Sequence, residues 1–306
     1  TKRYFTADEV SAELGISKAT LYSYVSRGLL RSAESGSKTR AKRYWAEDVL
    51  RLKQRQEQRR NPTQAAATAL HFGDPVLESA ITLIADGQCY YRGHRVVDLA
   101  RSQSFEAVAA LLWGGTLGDD APFTEVSYPQ SVPFAAAQAQ GATLAEQFQL
   151  ALLQAAPTDL GAYHLEASAV TRTGIRILHL LTRVVAGGDA PGRIAERLQR
   201  AWQPAAVELI PWLDSALILC ADHELNISSF TARCVASAGS TPYAAVVAAL
   251  AALQGYKHGG ASERVAACLA AATVDPQGAV RDYLRRGETL PGFGHHLYPH
   301  GDPRGQ

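Results

Sequence analysis

The chain has 306 residues, of which 47% are hydrophobic and 19% charged, with a formal net charge of +1. This composition predicts a soluble globular protein long enough for two domains. The residues 244–253 form the longest run of small apolar side chains, which is too short to span a bilayer, so no membrane association is expected. Four scattered cysteines argue against a disulfide framework or a metal site.

The amino-terminal residues TKRYF lack the apolar core of a signal peptide, so we expect a cytoplasmic protein. Charge is distributed unevenly along the chain. Residues 1–60 hold 14 Lys/Arg against 7 Asp/Glu, whereas residues 61–306 hold 16 against 22. This asymmetry indicates a nucleic-acid-facing module attached to an enzyme-like body.

The basic segment begins with signals for two short helices. Thr6 precedes ADEVSAEL, and Glu9 stands three residues after it, which is the pattern of a capping box. Gly15 ends this helix, Ser17 caps a second helix over residues 18–27, and Gly28 ends the second. Two short helices joined in this way predict a helix-turn-helix, whose second helix can enter the major groove of DNA.

Residues 31–44 are rich in serine and cations and predict a hairpin-like wing, and residues 46–60 predict a third helix. Closely spaced cations in a wing can contact phosphates. The predicted DNA-binding residues of helix and wing are Lys18, Thr20, Tyr22, Arg27, Arg40, Lys42 and Arg43.

Residues 3–58 resemble winged helix-turn-helix domains of the MerR or excisionase type. An alternative is a three-helix domain that docks another protein and keeps its basic face in solvent. No base preference follows from the sequence, because phosphate contacts carry no direct sequence information.

Residues 61–75 begin with Asn-Pro, which disfavours helix continuation, and they form the predicted linker to a body over residues 76–306. The body is predicted to be mainly helical, because apolar residues recur at intervals of three and four and alternating strands are not evident. The predicted helices cover residues 105–113, 144–156, 167–186, 194–202 and 208–220.

Three histidines of the body lie beside turn-forming or small residues. The segments are ADHELN at 221–226, KHGGASE at 257–263 and PGFGHHLYPHGDPR at 291–304. Glycines let the backbone approach a ligand closely, an imidazole N–H can polarise a ketone, and a guanidinium can clamp a carboxylate. Together they predict a site for a keto acid where several helix ends meet.

These segments, with DGQCYYRG at 86–93 and VDLA at 97–100, resemble the citrate synthase family over about residues 68–306. The resemblance implies a helical body with a large and a small subdomain, and a homodimer. It also implies condensation of an acyl-CoA, by default acetyl-CoA, with a 2-oxo acid, by default oxaloacetate, through an enol or enolate. The CoA thioester is a substrate, and no cofactor or metal is implied.

Carried over by motif, His258 contacts the thioester carbonyl and His295 polarises the oxo-acid carbonyl. The implied substrate-binding residues are His223, Asn226 and Arg304. Because His258 lies just before a predicted helix at Ala261, the helix amino terminus disfavours an imidazolium and favours a neutral hydrogen-bond donor. The sequence around Arg92 is compatible with a role in the site or in an ion pair. His164, His179 and His300 do not lie in such motifs.

Two departures from the family pattern leave a second function open. Pro299 stands where the family has a basic residue for CoA phosphate, and the family's catalytic aspartate lies after the loop, beyond Gln306. We expect the body to continue past this residue, because its helices would otherwise lack packing partners. The alternative is a transcriptional regulator whose synthase-derived body senses a metabolite.

Overall fold

The computed structural model describes residues 4–34, 42–46, 48–50, 52–53, 56, 79–118, 123, 141–223, 226–295, 297–298 and 301–305. The chain divides into two compact units, Thr1–Val76 and Leu77–Gln306. The predicted linker at 61–75 lies outside the described residues.

The described part of the amino-terminal unit contains helices and a small antiparallel sheet with strand order β1-β3-β2. Its elements are β1 (Tyr4–Thr6), α1 (Ala7–Leu14), α2 (Lys18–Ser26), β2 (Ser32–Glu34) and β3 (Lys42–Trp45). The predicted third helix is described only at 46, 48–50, 52–53 and 56, and each of these residues is helical. Strands β2 and β3 pair as the wing, with Ser32 opposite Tyr44.

Local signals define the two helices of this unit. The Thr6 side chain accepts a hydrogen bond from the Glu9 backbone N–H, and the Thr6 backbone N–H donates to the Glu9 carboxylate, which completes the predicted capping box. Gly15 ends α1 with φ 62°, a left-handed conformation that glycine adopts without steric strain because it has no Cβ atom. Leu14 and Leu21 are buried in the shared core, so α1 and α2 pack as a helix-turn-helix.

The body begins with a three-stranded meander, β4 (Thr82–Ala85), β5 (Gln88–Tyr91) and β6 (His94–Arg95). This sheet differs from the sequence-based expectation of a body without evident strands. Its strands have only two to four residues, which is too short for an alternating pattern to be recognised.

Ten helices of the described body follow the sheet. They are α3 (Val96–Ser102), α4 (Phe105–Gly114), α5 (Leu144–Ala155), α6 (Ala167–Ala186), α7 (Ile194–Trp202), α8 (Ile210–Leu219), α9 (Ile227–Ser237), α10 (Pro242–Leu253), α11 (Ala261–Val274) and α12 (Pro276–Arg285). The predictions for α6 and α7 match the observed bounds. Helix α8 begins two residues later than predicted, because residues 207–209 form a 3-10 turn and Pro211 occupies the first helical turn.

The two larger apolar cores among the described residues of the body each join several of its elements. The first joins β5, α3, α4, α7 and α8 around residues such as Tyr91, Leu111 and Ile218. The second joins α5, α6 and α10 around Leu152, Ile177 and Tyr243. Within the described residues, no helix combines the length and apolar character that crossing a bilayer requires.

Candidate active site

A buried tyrosine anchors the segment that carries His223. The Tyr91 hydroxyl lies 3.0 Å from the carbonyl oxygen of Ile218 and 2.7 Å from that of Asp222. It also accepts the Asp222 N–H at 3.1 Å. The Thr82 hydroxyl donates to the Asp222 carboxyl. Burial raises the pKa of Asp222, and this effect is larger than the lowering by its hydrogen bonds. Strands β4 and β5 therefore fix the backbone immediately before His223.

His223, His295 and Tyr298 form one contact group, which we call the His223 cluster. The Nε2 atom of His223 lies 3.0 Å from the Tyr298 hydroxyl oxygen. The two imidazole rings meet edge to face with centroids 4.9 Å apart. Burial raises the pKa of Tyr298, so its phenol keeps its proton at neutral pH. Folding thus brings the 221–226 and 291–304 segments together.

The backbone of the 291–304 loop sets the tautomer of His295. The Leu297 N–H donates to the Nδ1 atom of His295 at 3.3 Å. In neutral imidazole, an accepting Nδ1 leaves the proton on Nε2. Gly294 has φ 81°, which allows the tight turn before the histidine. The loop therefore presents His295 as an Nε2–H donor suited to a carbonyl oxygen.

Arg304 lies beside the same cluster, and its guanidinium carbon is 5.7 Å from the centroid of the Tyr298 ring. Its Nε and Nη2 atoms donate to the carboxylate of Asp302, the latter at 2.5 Å. Burial favours a neutral Asp302, but the hydrogen bonds and charge of Arg304 outweigh it and hold the pKa of Asp302 below its usual value. The predicted clamp is thus an arginine already oriented by a neighbouring carboxylate.

His258 joins the segment that follows His223. Its Nε2 atom lies 3.0 Å from the Ser228 hydroxyl oxygen, and that hydroxyl lies 2.7 Å from the Oδ1 atom of Asn226. Asn226 Oδ1 also accepts the Ser229 N–H at 3.0 Å and caps α9. The described contacts thus assign Asn226 a helix-capping role, and its side-chain NH₂ group remains the donor for the predicted substrate contact.

Glycines after His258 allow the tight connection into α11. A Cβ on Gly259 would lie 2.6 Å from the Leu253 carbonyl oxygen, and one on Gly260 would lie 2.9 Å from that of Gln254. Burial lowers the pKa of His258 below its usual value, so the imidazole is neutral at pH 7. A neutral ring carries one N–H, so it can donate from only one of its two nitrogens.

The structure gives Arg92 and His164 other settings. Arg92 donates from Nε and Nη2 to the Leu112 carbonyl oxygen at 3.0 and 2.8 Å, so it ties β5 to the end of α4. His164 is exposed. His300 and Pro299 lie outside the described residues.

His179 is a half-buried histidine whose two ring nitrogens both have partners in the fold. Its Nδ1 atom is 2.7 Å from Nη1 of Arg197, and its Nε2 atom is 3.1 Å from the Phe123 carbonyl oxygen. Arginine can only donate, so the imidazole is neutral and carries its proton on Nε2. Burial and the charge of Arg197 lower the pKa of His179 to about 3.

Sequence reasoning missed three residues of the site. Tyr298 and Asp302 stand inside the loop motif, and Ser228 stands two residues after Asn226. The residue types alone do not mark these positions as functional. Two local patterns could have indicated them: a hydroxyl side chain near a histidine motif, and an Asp two residues before an Arg, because both allow short-range hydrogen bonds. Among the described residues, no group of three His, Cys, Asp or Glu side chains is arranged to hold a metal ion.

In the amino-terminal unit, Tyr22, Arg27, Lys42 and Arg43 are exposed, and Arg40 lies outside the described residues. Lys18 is also exposed, with its Nζ atom 2.6 Å from the Asp8 carboxylate. The Thr20 hydroxyl is half-buried and lies 2.9 Å from that of Ser17. Arg27, directly after α2, and Lys42 and Arg43 in the wing thus present exposed cationic side chains.

Comparison with known proteins identifies both units. Residues 71–306 match the family described as citrate synthase, C-terminal domain, and residues 4–57 match the helix-turn-helix domain. Citrate synthase 2 of Bacillus subtilis is 30% identical over 256 residues, which cover 74% of this chain and 68% of the relative. Citrate synthase of Haloferax volcanii is 34% identical, covering 75% and 69%, and 2-methylcitrate synthase of Mycobacterium tuberculosis is 32% identical, covering 70% and 60%.

Solved structures agree with this assignment. Citrate synthase from Thermoplasma acidophilum, in a ternary complex with carboxymethyl coenzyme A and oxaloacetate, superposes with a TM-score of 0.63 at 25% identity, covering 74% of this chain and 67% of that one. Citrate synthase from Thermotoga maritima superposes with a TM-score of 0.59 at 26% identity, covering 76% and 69%. The chain thus spans about two thirds of the length of the relatives that it matches. The predicted mainly helical fold with an amino-terminal helix-turn-helix is confirmed, and the chain belongs to the citrate synthase family.

Proposed function

We propose that the body condenses an acyl-CoA with a 2-oxo acid. The observation that carries this proposal is the convergence of His223, His295 and Arg304 on Tyr298, which assembles imidazoles and a guanidinium in one place. This set of groups matches the chemistry of an oxo acid, whose carbonyl accepts a hydrogen bond and whose carboxylate pairs with a planar guanidinium.

In this mechanism, the Nε2–H of His295 donates to the ketone oxygen of the oxo acid and makes the carbonyl carbon more electrophilic. The proton moves to that oxygen as the new carbon–carbon bond forms, so the product is an alcohol. Arg304 holds a carboxylate and limits the orientations of the acceptor. The tautomer of His295, set by the Leu297 N–H, supports this role.

His258 would hydrogen-bond the thioester carbonyl and stabilise the enol or enolate. Its Nδ1 atom can donate only when its Nε2 atom accepts, which requires the Ser228 hydroxyl to turn from Asn226 toward the imidazole. A carboxylate base removes the proton from the carbon next to the thioester carbonyl. The family resemblance places this base after Arg304 in sequence. The enol carbon attacks the ketone carbon, and water then cleaves the C–S bond and releases free CoA.

Acetyl-CoA and oxaloacetate are the proposed substrates. The matched relatives include citrate synthases and a 2-methylcitrate synthase, so propionyl-CoA is the second thioester to test. We further propose that the protein is a homodimer, as the family resemblance implies, which light scattering of the purified protein would establish.

The direct test is thiol release by protein purified from the whole gene. Acetyl-CoA or propionyl-CoA is supplied with a panel of 2-oxo acids, and free CoA is measured by its reaction with a disulfide reagent. We expect turnover with oxaloacetate and a loss of about 100-fold or more in His258→Gln and His295→Gln. His164→Gln, which changes an exposed histidine, is the matched control. Wild-type protein that releases no CoA with any pair would contradict the proposal.

We propose that the amino-terminal unit binds DNA through α2 and the wing. The helix-turn-helix match and the exposed Lys42 and Arg43 support this role. Cations that displace counterions from phosphates make binding fall with salt, so Arg43→Ala should reduce the slope of log K against log salt by about 0.9. Arg172→Ala, an exposed arginine of the body, should leave the slope unchanged. Affinity that does not change with salt would favour a protein-docking module.

The presence of a helix-turn-helix domain in the same chain favours a second candidate function, a metabolite-sensing regulator. In that case the His223 cluster binds an oxo acid or acyl-CoA without turnover, and occupancy changes DNA affinity. Fluorescence anisotropy of a DNA duplex, with and without oxaloacetate or acetyl-CoA, tests this role. A DNA affinity that is the same with every ligand the body binds would exclude sensing.

A further inference from the structure

Asp302 makes a set of hydrogen bonds to Arg304. Its Oδ1 atom accepts the Arg304 backbone N–H at 2.9 Å and the Nε–H at 3.0 Å. Its Oδ2 atom accepts Nε–H at 3.2 Å and Nη2–H at 2.5 Å. Both carboxylate oxygens are therefore engaged by the arginine two residues later.

These contacts use one edge of the guanidinium. Of its five N–H groups, Asp302 takes Nε–H and one Nη2–H, which together form the side-on edge of the fork. The end-on edge, formed by Nη1 and the second Nη2–H, has the geometry for two parallel hydrogen bonds to another carboxylate. A carboxylate that blocked substrate binding by Arg304 would occupy this end-on edge. Asp302 instead occupies the side-on edge, so its hydrogen bonds do not use the end-on edge.

The local backbone makes this arrangement rigid. Pro303 lies between the two residues, is buried, and begins a 3-10 turn at residues 303–305. Proline fixes φ, and the hydrogen bond from the Arg304 N–H to Asp302 closes an Asx turn. The Arg304 guanidinium also lies over the Tyr298 ring, whose hydroxyl contacts His223. Backbone, carboxylate and ring together restrict a side chain that otherwise has many rotamers.

We propose that Asp302 is a positioning residue that fixes the guanidinium of Arg304 so that its end-on edge receives the carboxylate of the oxo acid. This inference rests on the proposed function and deepens it, because it names the residue that orients the clamp. Asp302 itself does not touch the substrate in this mechanism. Its effect should appear in oxo-acid binding and should depend on the presence of Arg304.

The test is calorimetric binding of oxaloacetate to full-length wild-type protein, Asp302→Asn, Asp302→Ala, Arg304→Ala and the double variant Asp302→Ala with Arg304→Ala. We expect Asp302→Ala to weaken binding by about tenfold or more, because a charge-assisted pair that orders the guanidinium is lost. Asp302→Asn retains the Asx acceptor and should lose less. In the Arg304→Ala background, removing Asp302 should have no further effect.

Steady-state kinetics give a second readout, since a positioning residue for the acceptor should raise the KM for the oxo acid more than it lowers kcat. Glu288→Gln is the matched control. It breaks a pair with Arg286 at the same two-residue separation, on the exposed surface and outside the His223 cluster. If Asp302→Ala fails to fold, Asp302→Asn in the same assays decides the question.

The outcomes separate this inference from the proposed function. If wild type binds oxaloacetate and Asp302→Asn and Asp302→Ala bind it equally well or more tightly, the positioning role is overturned while the function stands. An equal loss in the Arg304→Ala background would also overturn it, because Asp302 would then act independently of the clamp. Wild-type protein that binds no oxo acid would remove the proposed function and this inference with it.

Discussion

The Nε2 atom of His223 lies 3.0 Å from the hydroxyl oxygen of Tyr298, although 75 residues separate them in the chain. Tyr298 is buried, and its ring also lies 5.5 Å from that of His295 and beneath the guanidinium of Arg304. One aromatic side chain therefore contacts all three groups that the proposed mechanism assigns to the oxo acid.

Tyr298→Phe should weaken oxo-acid binding more than it destabilises the fold. The ring keeps its packing, but His223 loses the hydroxyl that orients it, and a hydrogen bond of this kind contributes about 1 kcal/mol. We expect KM for the oxo acid to rise by about three- to tenfold. The measurement is steady-state kinetics with thermal unfolding in parallel.

Tyr163→Phe removes the hydroxyl of a tyrosine that is 65% exposed and serves as the control. Equal kinetic constants for the Tyr298→Phe and wild-type proteins would show that the hydroxyl does not orient His223.

Ser228→Ala should lower kcat by up to about tenfold without changing oxo-acid affinity, because the hydroxyl that holds the Nε2 atom of His258 is lost. His258 has a pKa below its usual value, and the neutral ring is the proposed active form. Activity should therefore persist as pH falls through 6.5 and be lost only when the depressed pKa is reached. A pH profile of kcat measures both effects.

Ser237→Ala is the matched control on the same helix, because the Ser237 hydroxyl is exposed and donates locally to the Cys234 carbonyl oxygen. An acid limit of activity at or above the ordinary histidine pKa would contradict a neutral, half-buried His258.

His179 should make the body less stable in mild acid. Burial lowers its pKa to about 3, below the ordinary 6.5, so the unfolded chain binds the proton more readily. The contribution of the neutral ring is fully present above pH 6.5 and is lost as pH falls toward 3. Between pH 6.5 and 5 we expect a loss of about 2 kcal/mol in the free energy of unfolding.

Urea unfolding of wild type and His179→Gln at several pH values measures this loss. The variant should show a smaller decrease between pH 6.5 and 5, since glutamine does not titrate, whereas His164→Gln should behave like wild type. Parallel curves for wild type and His179→Gln would refute the assignment.

Asp48→Ala should destabilise the amino-terminal unit. The Asp48 side chain is buried and accepts hydrogen bonds from the Arg31 backbone N–H, Nε and Nη2, each at 2.9–3.0 Å. Removing one partner of such a pair leaves donors unsatisfied, and we expect a loss of about 2 kcal/mol. Hydrogen exchange of peptides from residues 4–34, followed by mass spectrometry, reports this unit.

Asp8→Ala removes the carboxylate of the exposed pair with Lys18 and should change exchange much less, because solvent screens exposed pairs. Equal protection in the Asp48→Ala and Asp8→Ala proteins would show that the Arg31 contacts do not stabilise the unit.

The sequence by itself determined the features that depend on neighbouring residues. The capping box at Thr6, the left-handed glycine after α1, and the bounds of α6 are local in this sense, because hydrogen bonds and apolar periodicity repeat within one or two turns. The histidine motifs were recognisable for the same reason, since their glycines and turn residues are adjacent to them.

Tertiary structure alone decided which groups meet. The contacts of Tyr298 with His223, of Ser228 with His258 and of Tyr91 with Asp222 join residues 75, 30 and 131 positions apart. No local pattern encodes such pairs, because they result from burial of apolar faces that many helix arrangements could satisfy. The same packing lowers the pKa of His258. This shift depends on burial in the folded chain, so the composition of the chain does not predict it.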